Sequence, residues 1–398
     1  MSTPYAQLLR TPGGWQFSLA GFFARLPLAM GGFALLLLMV DITGSYYVAG
    51  AVDATWVLMG AAAAPVVGRL IDRYGQSRIL RPQIAGHVCG VAAILVLAAS
   101  DAPLWTFFVA AAFSGACLPG IGSVVRARWS YLLPDSQLLR TAFSWESVVD
   151  EFVFVVGPPL AAATTQWKGP SAAVALTAAL ALSGTVGLLG QRRTEPPARP
   201  QVGPTGPMAF RYPGMPSVLI VMAALGFLFA GVEVTVVATG RASGSILGAG
   251  VVLALWSVSS MATGLFIGGL RRSPPLYKQL LVGSSTLALL LLPLIASQGL
   301  VMTAVILFLA GAAVSPTLIA GFTFAERLVP AARLNEALNW VSTALSVGFA
   351  LGSPSSGWLV DEVGLGAGYW VGVISAGLAV AAAIAGRKTL DAPRPDER

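Results

Sequence analysis

The chain has 398 residues, of which 56% are hydrophobic and only 10% charged, with 24 Lys and Arg against 17 Asp and Glu for a net charge of +7; mean hydropathy is +0.77. A water-soluble fold cannot hide that much apolar surface, and the long unbroken runs of Ala, Leu, Val and Gly exclude a barrel built from short alternating strands. The positive charge is spread along the chain rather than gathered in one segment, which argues for an anionic lipid surface and against nucleic acid as a partner.

A hydrocarbon core of about 30 Å requires about 20 apolar residues wound as a helix, because lipid offers no partners to backbone N–H and C=O groups. In chain order that requirement is met near residues 17–40, 46–67, 81–99, 104–125, 141–164 and 171–190. The first of these is too long for a signal peptide and lacks a small-residue cleavage site, so it is expected to stay in the membrane. Residues 191–213 follow, holding Pro196, Pro197, Pro200, Pro204, Pro207 and Pro213 with four arginines, a composition that builds no core and reads as a linker. Six further spans lie near 217–238, 245–270, 279–297, 300–324, 334–359 and 368–386. The fold class is therefore all-α integral membrane with about twelve helices, divided as 1–190, the linker 191–213, and 214–398.

Cytoplasmic loops carry the excess of Lys and Arg. With both termini inside, every Lys and Arg except Arg25, Lys168 and Arg241 falls on the cytoplasmic side, Arg126 and Arg128 among them. The expected location is a multi-pass protein of the plasma (inner) membrane. Cys89 and Cys117 both lie in spans and form no disulfide or metal framework.

The two halves echo each other. Ala142, Trp145, Gly157 and Pro159 recur at Ala337, Trp340, Gly352 and Pro354 with a constant spacing of 195, aligning the fifth span with the eleventh. Gly21 and Phe22 are matched with Gly226 and Phe227, and Leu133 and Pro134 with Val329 and Pro330. Parallel repeats of six helices predict a substrate cavity between the halves near the bilayer midplane.

Between the second and third spans stand Gly68, Arg69, Leu70, Ile71, Asp72, Arg73, Tyr74, Gly75, Gln76, Ser77 and Arg78. This run resembles the signature loop G-x-L-x-D-R-x-G-R-R of the major facilitator superfamily, with Gln76 and Ser77 in place of the basic pair and Arg78 one position late. The resemblance implies a two-bundle transporter in which Gly68, Asp72, Arg73, Gly75 and Arg78 form a cytoplasmic latch that holds the outward-facing state. Glycines permit the tight turn, and Asp72 can accept from an arginine or a helix N-terminus. The matching loop of the second half, around Gly269, Leu270, Arg271 and Arg272, keeps a degraded version. In the fifth span, Gly157, Pro158, Pro159, Leu160, Ala161 and Ala162 resemble the G-P-x-x-G-G element of the superfamily's bacterial proton-coupled efflux branch; proline bends the helix and small residues let a neighbour approach. An ordinary proline kink is the alternative. The buried fourth-helix arginine usual in drug-proton antiporters is absent from Phe107–Val125.

An ionisable side chain costs about 2.5–3.5 kcal/mol or more at mid-bilayer, so each is a functional candidate. The candidates are Arg25, Asp53, Glu146, Asp150, Glu151 and Glu233. Glu146 and Asp150 share a helix face and Glu151 lies about 100° round from Asp150, so Arg25 is expected to pair with Glu146 or Asp150. Such a pair either holds two helices statically or changes partner with a proton. Glu233 is a candidate for substrate or proton binding, whereas Asp53 sits where it can reach interfacial water. His87 reads as a packing residue. Trp56, Trp145, Trp256 and Trp340 are candidate cavity aromatics.

No loop of the form G-x-x-x-x-G-K-[ST] occurs, so no cofactor is expected and energy should come from a proton gradient. With no metal cluster and no nucleophile-base pair, the chain does not read as an enzyme. The expectation is a monomeric secondary transporter exporting a small molecule, drug-like or metabolite, against protons. An importer or uniporter on the same fold, or a membrane receptor or assembly subunit, are the alternatives.

Overall fold

The computed structural model describes residues 7–8, 10–100, 102–134, 137–198, 208–268, 275–297, 299–330 and 333–390. The first six long helices are α1 (Gly14–Thr43), α2 (Tyr46–Tyr74), α3 (Gln76–Ala98), α4 (Leu104–Leu132), α5 (Gln137–Lys168) and α6 (Pro170–Leu189). Six more follow: α7 (Met215–Ala242), α8 (Ile246–Gly268), α9 (Leu276–Ala296), α10 (Leu300–Leu328), α11 (Leu334–Glu362) and α12 (Leu365–Ala385). Among the described residues, eleven of these are long and apolar enough to cross a membrane. The remaining one, α11, is as long at 29 residues but begins with polar side chains.

The turns follow from local chemistry. Gly44 closes α1 in the left-handed conformation at φ 69°, and Ser45 then caps α2 by accepting from the Val48 N–H. Gly244, 200 residues on, repeats that left-handed turn after α7 at φ 68°. Pro170 opens α6 at a position whose N–H would have no partner.

The helices form two pseudo-symmetric six-helix bundles. Helix α4 breaks at Cys117–Gly120 and α10 breaks at Ala312 and Ala313, related by the same spacing of 195 that links Ala142 to Ala337. Just before each break, a glycine packs on the backbone of a tryptophan in another helix of its own bundle. A Cβ on Gly115 would lie 2.1 Å from the Trp56 carbonyl, and one on Gly311 would lie 2.4 Å from the Trp256 carbonyl. Helices α1 and α7 are the most enclosed, with Met30, Phe33, Leu36, Leu225 and Leu228 buried. Lipid exerts no hydrophobic force between helices, so close backbone approach at small residues carries this packing.

Three expectations are corrected. Helix α2 runs on through Gly68 to Tyr74, and α3 starts at Gln76, so the signature segment is two helix ends joined by Gly75 alone, at φ 88°. Helix α4 likewise continues past Val125 to Leu132 and takes Arg126 and Arg128 with it, because its second piece restarts at Ile121 with room for three more turns. Gly21 and Gly226 are not equivalent: Gly21 faces Val125 of α4, whereas Gly226 backs onto the Leu345 carbonyl of α11. The ends of α1 and α7 set a register of 200 rather than 205 there. Gly269, Leu270, Arg271, Arg272 and linker residues 199–207 lie outside the described residues.

A Cβ at Gly226 would meet the Leu345 carbonyl at 1.9 Å, whereas one at Gly377 meets nothing within 4 Å. Gly226→Ala is expected to destabilise the fold by about 1–3 kcal/mol through overpacking, and Gly377→Ala to leave it unchanged. Thermal melting in detergent, followed by size-exclusion, measures both.

Candidate functional site

The two bundles meet along a seam formed by α2 against α11 and α5 against α8. A Cβ on Gly250 of α8 would lie 2.8 Å from the Pro158 carbonyl, and one on Gly50 of α2 would lie 2.6 Å from the Ser353 carbonyl and 2.8 Å from Pro354 N. Pro158 and Pro159 therefore cross to one neighbour and Pro354 to its pseudo-symmetric counterpart. Gly157 and Gly352 turn the other way, toward Ala29 of α1 and Phe227 of α7 inside their own bundles.

Beyond the prolines, the seam closes by exchange of helix caps. Asp361 at the end of α11 accepts from Ser45 Oγ at 2.7 Å, Tyr46 N at 3.1 Å and Tyr47 N at 2.9 Å. Gln166, 195 residues earlier at the end of α5, accepts from Leu247 N at 3.1 Å. Each bundle thus satisfies orphan N–H groups at the start of the other bundle's second helix. Arg241 donates to Asp41 at 2.8 Å, and since these positions are 200 apart their pair joins equivalent points of the two halves. None of Asp361, Gln166 or Asp41 stood out in the sequence; the 195 spacing between an acid and an amide at two helix ends was the available signal.

The opposite end, where the arginines gather, is splayed. From Leu58 to Tyr74, α2 is exposed around most of its circumference, and Asp72 and Arg73 face outward. Among the described residues Asp72 belongs to no ion pair; Arg73 and Arg78 stack on Tyr74 at 5.2 and 5.5 Å. The acceptor at the start of α3 is instead Glu195 of the linker, bonded to Ser77 N at 2.7 Å and to Ser77 Oγ. Gln76 accepts from Arg128 Nε at 2.9 Å, and Arg128 also reaches Thr194 Oγ1 at 2.9 Å and the Gln191 carbonyl at 3.2 Å. Of the departures from the signature pattern, Ser77 bonds the linker directly through Glu195 and Gln76 reaches it through Arg128.

Between these ends lies a charge cluster. Arg25 of α1, 4% exposed, pairs with both acids: Nη2 with Glu146 Oε2, and Nη1 with Asp150 Oδ1 at 2.6 Å. Glu146 is fully enclosed and also accepts from Ser18 Oγ and Trp129 Nε1, each at 2.8 Å. Trp145 is spent on this shell, donating to Ser18 Oγ at 2.9 Å. Asp150 differs: its second oxygen takes Arg126 of α4 at 2.5 Å, and both partners are 34% exposed. The sequence puts Arg126 in a loop and leaves the fourth helix without a buried arginine; extension of α4 overturns both, and Arg128 is 0% exposed. Glu151 projects to the seam beside Ser315 of α10, which bonds Ser260 at 3.0 Å.

Nearer the closed end, Asp53 is 2% exposed, because α11 covers it, so it does not reach interfacial water. Its Oδ2 accepts from Ser353 Oγ at 3.3 Å, across the seam. Glu233 of α7 points at the same place, as Gly32 shows: a Cβ there would sit 3.1 Å from Asp53 Oδ1 and 3.4 Å from Glu233 Oε1. His87 packs with Nδ1 3.0 Å from the Ser114 carbonyl. Trp56 lies over Gly31, Trp256 stacks edge-on to Phe229 at 5.5 Å, and both are under 10% exposed, packed within their own bundles. Trp340 meets Phe210 at 5.1 Å and is 37% exposed.

The profile of the Major Facilitator Superfamily matches residues 17–308 and 245–398. The chain belongs to that superfamily. No curated protein sequence matches it. Among solved structures it is similar to the nucleoside transporter NupG, with 16% identity and TM-score 0.70 over 95% of this chain and 99% of that one. It is also similar to an auto-inhibited POT family peptide transporter, with 15% identity and TM-score 0.72 over 95% and 97%, and to the POT family transporter PepTSo, with 13% identity and TM-score 0.65 over 94% and 95%. At these identities the likeness is one of fold. The segment that resembles the superfamily's signature stands here at the splayed end, where Asp72 is exposed.

Removing one member of a buried ion pair leaves its partner uncompensated, so Glu146→Gln is expected to cost about 3 kcal/mol of stability and Asp150→Asn distinctly less, read from detergent melting curves. Asp361→Ala removes a helix cap that holds the seam and is expected to shift the protein about fivefold toward opening at that end. Alkylation of a cysteine placed at Ser353 reads that opening; unchanged labelling would show the cap to be dispensable.

Proposed function

We propose that this chain is a secondary active transporter that works by alternating access and exports a small molecule in exchange for protons. The reading assigns residues 1–190 and 214–398 to the two moving bundles and 191–213 to the linker between them. It places the arginine-rich end and both termini in the cytoplasm, in the plasma membrane, as the charge asymmetry of the loops supports. In that orientation the seam is shut toward the outside and splayed toward the inside.

The observation that carries the proposal is the setting of Asp150. One carboxylate is shared by Arg25 and Arg126 on two different helices, and its side chain is 34% exposed. Protonating Asp150 would release both guanidinium groups, and deprotonating it would recapture them, so one proton changes how α1, α4 and α5 are tied. Glu146, enclosed by Arg25, Ser18 and Trp129, keeps the arginine in place while its second partner changes. Glu151, at the seam beside Ser315, is positioned to meet substrate entering from the splayed end.

The test is flux into proteoliposomes under an imposed pH gradient, with pooled metabolites and drugs, for wild type and Asp150→Asn. Accumulation driven by the gradient and uncoupled by the substitution is the expected result. Flux that ignores the gradient supports a uniporter, flux with the gradient in the opposite sense an importer, and no flux at all a receptor or assembly role.

A further inference from the structure

Asp53 and Glu233 have no role in the Asp150 switch, yet they stand together across the seam. Asp53 comes from the first bundle, on α2, and Glu233 from the second, on α7. Both oxygens lie against the space left by the missing side chain of Gly32, and the sum of the 3.1 and 3.4 Å distances bounds their separation. Ser353 of α11 supplies a hydroxyl to Asp53 Oδ2, and Asp53 Oδ1, on a residue 2% exposed, has no hydrogen-bond partner among the described residues.

The charged groups on the surrounding helices are otherwise engaged. Arg25 on α1 is held by Glu146 and Asp150; Arg241 on α7 pairs with Asp41 of α1; Asp361 on α11 caps α2. Tyr46 at the start of α2 lies on the outer side, under Asp361. No Lys, Arg or His among the described residues forms an ion pair with Asp53 or Glu233. Two carboxylates brought together in a water-poor seam without a counter-charge repel each other, and closing the seam is what brings them together.

We infer that Asp53, Glu233 and Ser353 form a binding site for one small monovalent cation, a proton or a sodium ion, whose occupancy is required to close the outer end of the seam. When the seam opens, α2 moves away from α7 and α11, water enters, and the cation leaves to the side from which the seam opened. The site is assembled only by the closed state, so it acts on the equilibrium between states rather than on the substrate directly. The inference rests on alternating access as proposed above.

The experiment is a distance measurement by electron paramagnetic resonance between nitroxides at Ile42 and Ser243, in lipid nanodiscs, with Cys89 and Cys117 replaced by serine. Wild type is compared in acidic and alkaline buffer, each with and without sodium. The separated population is expected to rise about tenfold in alkaline, sodium-free buffer, while Asp53→Asn and Glu233→Gln stay closed in every buffer. Reversal by acid alone identifies the proton, and reversal by sodium at constant alkaline pH identifies sodium. A wild-type distance distribution indifferent to both, or an unchanged response in both variants, overturns the inference. Asp361→Ala separates the two failures: if it opens the outer end while pH and sodium do not, alternating access stands and the cation site falls; if nothing moves the labels, both fall.

Discussion

Lipid supplies neither water nor counter-ions, so every polar group placed inside the bilayer must find its partner within the protein. That constraint organises this molecule at three depths. At the splayed end, the enclosed Arg128 donates through Nε and Nη1 to Gln76, Thr194 and the Gln191 carbonyl, which fastens the start of the linker to the turn between α2 and α3. In the first bundle, Arg25 is neutralised by Glu146 and Asp150, and the enclosed acid is completed by a serine and an indole. At the closed end, orphan N–H groups at two helix starts are met by Asp361 and Gln166 from the opposite bundle.

The third case gives the pseudo-symmetry a mechanical meaning. A cap donated by the same helix would be kept in every state of the protein. A cap donated by the other bundle exists only when the bundles touch, and the repeat supplies it twice, with Asp41 and Arg241 joining equivalent positions of the two halves. The prolines work with this arrangement. Pro158, Pro159 and Pro354 bring the backbones of α5 and α11 against Gly250 and Gly50, where only hydrogen occupies the space of a Cβ. Polar caps and glycine contacts of this kind form and break with little apolar area exposed, which suits the alternating access proposed above.

The charges that were easiest to notice do different jobs. Glu146 and Asp150 look alike in sequence, four residues apart on one helix face, but the first is sealed and the second is shared between two arginines and one-third exposed. Glu151, one position on, leaves the cluster and faces the other bundle. The signature segment shows the same divergence. Its acidic residue is exposed, and the bonding falls to Gln76 and Ser77, where the chain departs from its superfamily's pattern.

From the sequence alone, hydropathy and the 195-residue repeat determine twelve helices in two related bundles, because helix length in lipid is set by backbone hydrogen bonding and not by distant contacts. The pairing of Arg25 with α5 was legible for a similar reason: a lone cation and a stripe of acids in hydrocarbon have few alternatives. Helix ends were not legible: Arg126 and Arg128 are polar enough to read as loops until their tertiary partners are seen, and the residues from Gly68 to Tyr74 stay helical although exposed. Only the tertiary structure decided that Asp53 is covered by α11, that Glu233 joins it at Gly32, and that Asp361 and Gln166 cap helices of the other bundle. Those neighbours are hundreds of residues or a whole bundle apart, and they meet through the packing of glycines and prolines whose partners no local pattern encodes.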